Sequence, residues 1–350
     1  MKKELLIASA LVGSMGVAGV AEAATASFSG NIRNGVTGDD VDSTTNATHS
    51  ADQKSSLSFS VSETTDAGTK ISTGFSVHDE GADDAGDPSG LTLTFTDGSS
   101  LKLIEAGNAA TGRIASVPGA SGEQGIAAVA SSANAAPTAI TYGSSADNVG
   151  FSYTSAADAL GVEGLTFGVS AAFGDDTDGT VSSTAETSYS AGITYTTDAG
   201  DTKITIGGGF VNADDSNRMT INDKADIMMV SATAATGDLT LGAGFMSGSR
   251  INGGTVEVDS MQILTAGAKY VSGDMTMSIG MMDSEAKDGA EGANGTNTDS
   301  LESISGSVDY VVASGVTATV GYTDVSAANE GASVSGNSGS SWYIGANISF

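Results

Sequence analysis

The chain has 350 residues, no cysteine, two histidines, and 42 acidic against 13 basic residues, for a net charge of −29. Disulfides, thiolate nucleophiles and Cys-bound zinc are therefore out, and His49 and His78 leave little material for a His-based catalytic or metal centre. So acidic a chain also argues against nucleic acid as a partner.

Met1-Lys2-Lys3 opens a positive start that Glu4 dilutes, an apolar run follows from Leu5 to Val20, and Ala21-Glu22-Ala23 reads as an A-x-A cleavage site. This predicts a secretory signal peptide over 1–23 and a mature chain over 24–350 with 11 basic and 40 acidic residues. No other stretch approaches the roughly 18 consecutive apolar residues of a membrane-spanning helix. Abundant Gly (48) and scarce Pro (3) are compatible with disorder, were it not for the strand periodicity that follows.

Alternation of apolar and polar residues predicts sixteen strands: 26–36, 54–65, 69–78, 90–96, 100–106, 148–156, 164–173, 186–196, 201–211, 223–234, 238–247, 259–270, 274–282, 302–311, 316–323 and 341–350. Leu239-Leu241-Ala243-Phe245 and Met275-Met277-Ile279-Met281 carry the pattern most cleanly; the fifth and tenth strands are the least clean. The final strand alternates Trp342, Ile344, Ala346, Ile348 and Phe350 with small or polar residues, and the sequence stops on that aromatic.

Seven of the connections are short turns, such as Asp66-Ala67-Gly68, Asp97-Gly98 and Ser272-Gly273. Eight are longer: 37–53, 79–89, 107–147, 174–185, 212–222, 248–258, 283–301 and 324–340. Short and long alternate throughout. An up-and-down barrel in an outer membrane needs this arrangement, with tight periplasmic turns and long outer loops, whereas a sandwich or propeller does not.

Eighteen of the 19 aromatic residues fall in these strands, all but Tyr142. In descending strands they gather near the periplasmic end (Phe95, Tyr153, Tyr195, Tyr270, Tyr310, Phe350), and in ascending ones near the outer end (Phe75, Phe173, Phe210, Phe245, Tyr322). Strand propensity alone explains aromatics in strands but not two belts at opposite heights. The long connections hold 24 of the 40 acidic residues and only Arg113, Arg218, Arg250 and Lys287, an acidic crown of 20 net negative charges.

Asp-rich loops are the one metal-like signal: Asp83, Asp84 and Asp87 in one, Asp175, Asp176 and Asp178 in another. Neither fits the spacing of an EF-hand, so solvation of an exposed loop competes with loose Ca²⁺ binding on hard oxygen ligands; no cofactor is required. No nucleophile-base pair, nucleophile elbow or phosphate loop is present, and no enzyme is expected. Gly207-Gly208-Gly209 lies inside a strand and reads as relief of crowding rather than as a phosphate cradle. The 107–147 connection is the longest, yet small, apolar and Gly/Ala-rich, with a short helical piece predicted over 125–131. Such a loop is expected to lie against something rather than face water.

At this point the chain resembles the general porins of Gram-negative bacteria, close to those of alphaproteobacteria. Ser100-Leu101-Lys102-Leu103-Ile104-Glu105-Ala106-Gly107 is similar to their fifth strand entering the long third loop, and Val149-Gly150-Phe151-Ser152-Tyr153-Thr154-Ser155 followed by Gly164-Leu165-Thr166-Phe167 to their sixth strand, third turn and seventh strand. The terminal Phe350 resembles their closing residue. The resemblance implies a 16-stranded antiparallel transmembrane barrel in the outer membrane, a third loop folded inward to narrow the pore, a homotrimer, and Phe350 as the signal read by the barrel assembly machinery. Family eyelets set acidic loop residues against basic wall residues. Here Arg33, Lys54, His78 and Lys102 are the wall candidates, since they point inward if Phe28 and Ile32 face lipid, with Lys70 on the same rule. Glu123, with Arg113 and Glu105 at the root, is the loop's contribution.

The expected function is a passive channel for small hydrophilic solutes and ions, cation-preferring because the crown is acidic and basic wall residues are few. A substrate-selective channel and, from another class, an exported Ca²⁺-dependent surface adhesin with a β-helical body are the alternatives. The adhesin would show a fixed repeat or Gly-Gly-x-Gly-x-Asp nonapeptides, and neither is found in the sequence.

Overall fold

Most strands put large apolar side chains on one face and small or polar ones on the other, and the apolar face is the one exposed. Phe28, Ile32 and Val36 of one strand are 45%, 40% and 44% exposed, while the alternate Arg33, Gly35 and Thr37 are partly covered. This inverts the pattern of a water-soluble sheet and suits a barrel that faces lipid outside and water inside. The computed structural model describes residues 24–41, 48–79, 87–104, 108–122, 124, 148–175, 187–215, 223–251, 257–288, 297–328 and 337–350.

Sixteen strands run in order around one sheet: β1 Thr25–Val41, β2 Thr48–Thr64, β3 Lys70–Asp79, β4 in two pieces (Asp87–Pro88 and Leu91–Thr94), β5 Ser100–Leu103, β6 Asn148–Thr154, β7 Leu165–Asp175, β8 Thr187–Ala199, β9 Thr202–Asp215, β10 Asp223–Thr236, β11 Leu239–Ile251, β12 Glu257–Ser272, β13 Met275–Asp288, β14 Asn297–Ala313, β15 Val316–Ala328 and β16 Asn337–Ser349. Both pieces of β4 pair with β3, so they count as one strand. Every neighbour is antiparallel, and β1 pairs with both β2 and β16, which closes the barrel and leaves no sheet edge. A closed up-and-down barrel is not the β-helical body of the adhesin reading. Phe350 seals the seam: its N–H donates to the Gly30 carbonyl at 3.1 Å and its carbonyl accepts from the Gly30 N–H at 3.0 Å.

The strands reach further outward than alternation predicts. β1, β2 and β14 have 17 residues each, whereas about 9–11 tilted residues cross the bilayer. The surplus forms hairpin arms beyond the membrane, where the ladder continues but no apolar face is required. Fourteen of the 24 acidic residues assigned to long connections lie on these extensions or on strand ends, among them Asp39, Asp52, Asp283, Asp299 and Asp324.

Ten of the eleven aromatics assigned to the two belts are exposed at 36% or more; Tyr153 is half-buried, its ring centroid 6.0 Å from that of Phe167. Phe28, Phe59 and Phe75 form a tilted ladder across β1–β3 with centroids 4.9 and 5.3 Å apart. His49 lies at the outer end of β2, 5.7 Å edge-on from Trp342, whose ring covers Gly38.

The fifth strand falls short of its predicted span: it stops at Leu103 rather than 106. Ile104 takes a φ of 61°, sparsely populated for a β-branched residue, and the chain leaves the wall there. Gly90, at the break in β4, packs under the Ile104 carbonyl in a space no side chain could share.

Candidate pore constriction

The third loop enters the barrel after β5 and runs along the inner wall. Asn108 caps its first turn, its Oδ1 accepting from the Ala110 N–H at 2.9 Å, and Thr111–Arg113 form a 3-10 turn. The Ala109 N–H donates to Ser190 Oγ at 2.9 Å and Ser170 Oγ at 3.1 Å, which fixes the loop to β7 and β8. Thr194 Oγ1 donates to the Arg113 carbonyl at 2.5 Å. The loop then crosses β9 to β15 and reaches β16, so it spans more than half the interior. The helical piece predicted over 125–131 lies outside the described residues.

Glycines on the inner face make room for this path. An added Cβ would stand 2.7 Å from Arg113 Cβ at Gly192, 2.7 Å from Ala110 Cβ at Gly209, 2.6 Å from the Ala115 nitrogen at Gly207 and 2.7 Å from Pro118 Cδ at Gly242. It would collide with the Pro118 carbonyl at Gly267 and with the Gln124 side chain at Gly321. Gly208, between two of them, faces the other way and meets only the Met229 carbonyl oxygen at 3.6 Å. The triplet Gly207-Gly208-Gly209 thus relieves crowding under the loop.

The described stretch of the loop is latched at Ser121 and Gln124 by hydroxyls and one carboxylate. Ser121 Oγ donates to Asp309 Oδ2 at 2.6 Å, Thr319 Oγ1 donates to Asp309 Oδ1 at 2.6 Å, and the Ser121 N–H donates to Ser307 Oγ at 2.8 Å. Thr323 Oγ1 donates to the Gln124 carbonyl at 3.1 Å. Tyr343 of β16, 2% exposed, lays its ring over Gly35 and Gly345 and packs against Gly122. Seam, wall and loop meet at that ring.

Arg33 is the next inward position below Gly35, so it stands beside this junction. Its Nε donates to Asp52 Oδ2 at 2.6 Å and its Nη2 to Asp52 Oδ1 at 3.2 Å, a forked ion pair with side chains 23% and 8% exposed. Lys54 is Arg33's direct cross-strand neighbour on the same face. Lys102 of β5 and its register partner Ser152 of β6 lie on the inner face, opposite in sense to the lipid-exposed Phe151. Arg113 instead lies flat on the opposite wall, its Nη1 donating to Thr166 Oγ1 at 3.2 Å near the periplasmic end of β7. His78 pairs with Ser56 in the β2–β3 register. Glu105 and Glu123 lie outside the described residues, as do Asp83, Asp84, Asp176 and Asp178 and the predicted signal peptide; Asp87 and Asp175 are described only as strand positions in β4 and β7.

Sequence reading missed Asp52 as the partner of Arg33, the Asp309 latch and Tyr343. Glycine recurring at inward positions on successive strands was the available signal for the loop's track. Nothing local distinguishes Asp309 from any other wet-face aspartate.

A family model described as Gram-negative porin matches residues 8–330. Among solved structures the chain is similar to a porin refined at 1.8 Å (16% identity over 93% of this chain and 100% of that one, TM-score 0.57). It is likewise similar to the anion-selective porin from Comamonas acidovorans (13%, 93% and 100%, TM-score 0.59) and to OmpF of Salmonella typhi (14%, 93% and 98%, TM-score 0.64). Likeness at these identities concerns the fold alone. No curated protein matches the chain by sequence.

Proposed function

The chain belongs to the Gram-negative porin family, outer-membrane channels without enzymatic activity, and from that premise we propose that it forms a passive, water-filled channel for small hydrophilic solutes and ions, cation-preferring in dilute salt. The observation that carries the reading is a third loop pinned across the inner wall of a closed barrel from Ser190 to Tyr343. A soluble or purely structural barrel has no use for such a loop, whereas a pore uses it to set width and to bring charge near the ion path.

Cation preference is supported by the net charge of −29 and by the ion pair that neutralises Arg33 locally. Assembly as a homotrimer, release of residues 1–23 after Ala23, and recognition of the C-terminal strand by the assembly machinery complete the proposal on the strength of family membership. Loose Ca²⁺ binding by the Asp-rich loops is consistent with their oxygen-only ligands.

The test is reconstitution into planar bilayers and liposomes. Stepwise KCl conductance is expected, together with swelling rates that fall with the size of an uncharged sugar rather than with its identity. Sealed bilayers after insertion of correctly folded barrel would refute the channel.

A further inference from the structure

Where the third loop passes β10 it lifts off the wall. Gly207 of β9 and Gly244 of β11 are the register partners of Ser231 on β10, and both lie against the loop, Gly207 under Ile114 and Ala115, Gly244 under Val117. Between them the loop bridges a cavity of about 360 Å³, open on one side. Its wall is mostly apolar, with Met229, Met246 and Ile263 from the strands and Ile114 and Val117 from the loop, beside the hydroxyl residues Thr111, Ser116 and Thr265. Ile263 and Met229 are 1% and 5% exposed and belong to an apolar cluster on the inner face of the outer half of the barrel.

Ser231 faces this cavity, is 5% exposed, and its Oγ has no hydrogen-bond partner among the described residues. Other wall hydroxyls on the loop's course, those of Ser190, Thr194, Ser307 and Thr323, each bond the loop's backbone. A buried hydroxyl left unmet costs stability unless something reaches it. A space at the lower end of the ~300–1,000 Å³ range of small-molecule sites, mostly apolar with a few hydroxyls of which that of Ser231 is buried and unmet among the described residues, has the make-up of a ligand site.

We propose that this cavity is a binding subsite for solutes in transit, taking the branched alkyl or aryl group of a small amphipathic molecule while Ser231 Oγ hydrogen-bonds a polar atom beside that group. The inference rests on the channel reading. Binding is weak, since a solute that lodged firmly would block the pore rather than pass. The pore therefore holds apolar-bearing zwitterions longer than polar ones of similar size, and their flux saturates.

The experiment uses the full barrel and two zwitterionic probes, L-phenylalanine and L-serine. Single-channel KCl current is recorded while each is titrated, and methyl-¹³C methionine spectra are followed in detergent. Phenylalanine should reduce the current saturably in the millimolar range and shift the Met229 and Met246 methyl signals with the same midpoint, leaving the lipid-facing Met228 and Met277 signals in place. Serine should do neither. Ser231→Leu, which fills the cavity, and Met246→Asn, which makes its wall polar, should each weaken the phenylalanine response at least about tenfold, roughly 1.4 kcal/mol, while KCl conductance persists. Native channels that conduct KCl but respond alike to both probes overturn the subsite and leave the channel standing, as do conducting variants with an undiminished phenylalanine response. Native protein without any KCl conductance overturns the channel reading, and the subsite with it.

Discussion

Phe350 illustrates how one side chain serves closure and lipid contact together. Its backbone pairs with Gly30 while its ring, 67% exposed, covers that glycine on the lipid side, in space any other residue at position 30 would occupy. Phe350→Asp should sharply reduce the yield of assembled barrel, and Ser349→Asp should not, measured by heat-modifiable gel mobility. A charge on the lipid face costs about 2–4 kcal/mol at mid-depth and less near the interface, too little alone to abolish folding. A severe loss therefore points to recognition of the terminal residue during assembly, and equal yields would remove that role. A second residue-scale expectation concerns the Asp97-Gly98 turn. Ser99 Oγ donates to Asp97 Oδ1 at 2.7 Å and the Ser99 N–H donates to it at 2.9 Å. The Ser99 hydroxyl, then the N–H, hold the Asp97 carboxyl below its ordinary value of 3.8. Because the folded value is the depressed one, the turn's contribution is complete above the ordinary carboxylate range and is lost only as pH falls through the lowered value. Carboxyl ¹³C titration of Asp97 should show that low value in the native barrel and its return toward normal in Ser99→Ala; identical titrations would rule out the hydroxyl as the cause.

The third loop is the element on which the pore depends, and its placement is written in the residues beneath it. Gly207→Leu puts a branched side chain where Ile114 and Ala115 lie, so the loop must shift off β9; Gly208→Leu, one residue on, adds an apolar group toward lipid. Single-channel conductance should change by about twofold or more in the first and stay within the native distribution in the second, an estimate consistent with displacing a packed segment rather than one rotamer. Equal conductances would mean that the loop does not set pore width. The same pair shows what sequence could and could not reveal. Period-two alternation and the rhythm of short and long connections gave the strands, their direction and the closed barrel, because lipid enforces a binary pattern on every residue it touches. The outer arms escaped because beyond the membrane the outward face turns polar and the apolar-out pattern inverts: Asp283 and Glu285 are exposed while Ser284 and Ala286 are buried, and Glu302 and Asp324 are exposed beside buried Leu301 and Val325. The loop's inward course was inferable from its apolar composition, but its latch was not: Ser121, Asp309 and Thr319 are brought together only by the barrel's curvature, across 188 positions of chain between Ser121 and Asp309.

At the scale of the whole molecule, selectivity is decided by where the charge points. Among the residues whose side chains are described, inward-facing positions carry Arg33, Lys54, Lys70, Lys102, Lys203 and Lys269 against Asp39, Asp52, Asp198 and Asp309, by register with their lipid-exposed neighbours. The outer carboxylates Asp283, Glu285, Glu302 and Asp324 lie on the outward face of the β13–β15 arms, in register with one another and with the lipid-facing Ile304. These four carboxylates are thus aimed away from the lumen and act on passing ions through solvent at a distance. Such an effect depends on screening: the Debye length is about 30 Å at 0.01 M salt, about 10 Å at 0.1 M and about 3 Å at 1 M. In dilute KCl the net −29 should raise the local cation concentration and produce cation preference. In concentrated KCl only charges bordering the ion path persist, and there the described basic and acidic side chains largely offset one another, so the preference should fall to near none. Reversal potentials across KCl gradients at the two concentrations measure this directly. Replacing Asp283, Glu302 and Asp324 together by Asn should weaken the preference only in dilute salt. Asp52→Asn, which removes the carboxylate facing Arg33, should move selectivity toward anions at both concentrations. Anion preference already present in dilute salt would mean that the inward lysines and Arg33 govern the pore, and that the crown is too remote to matter.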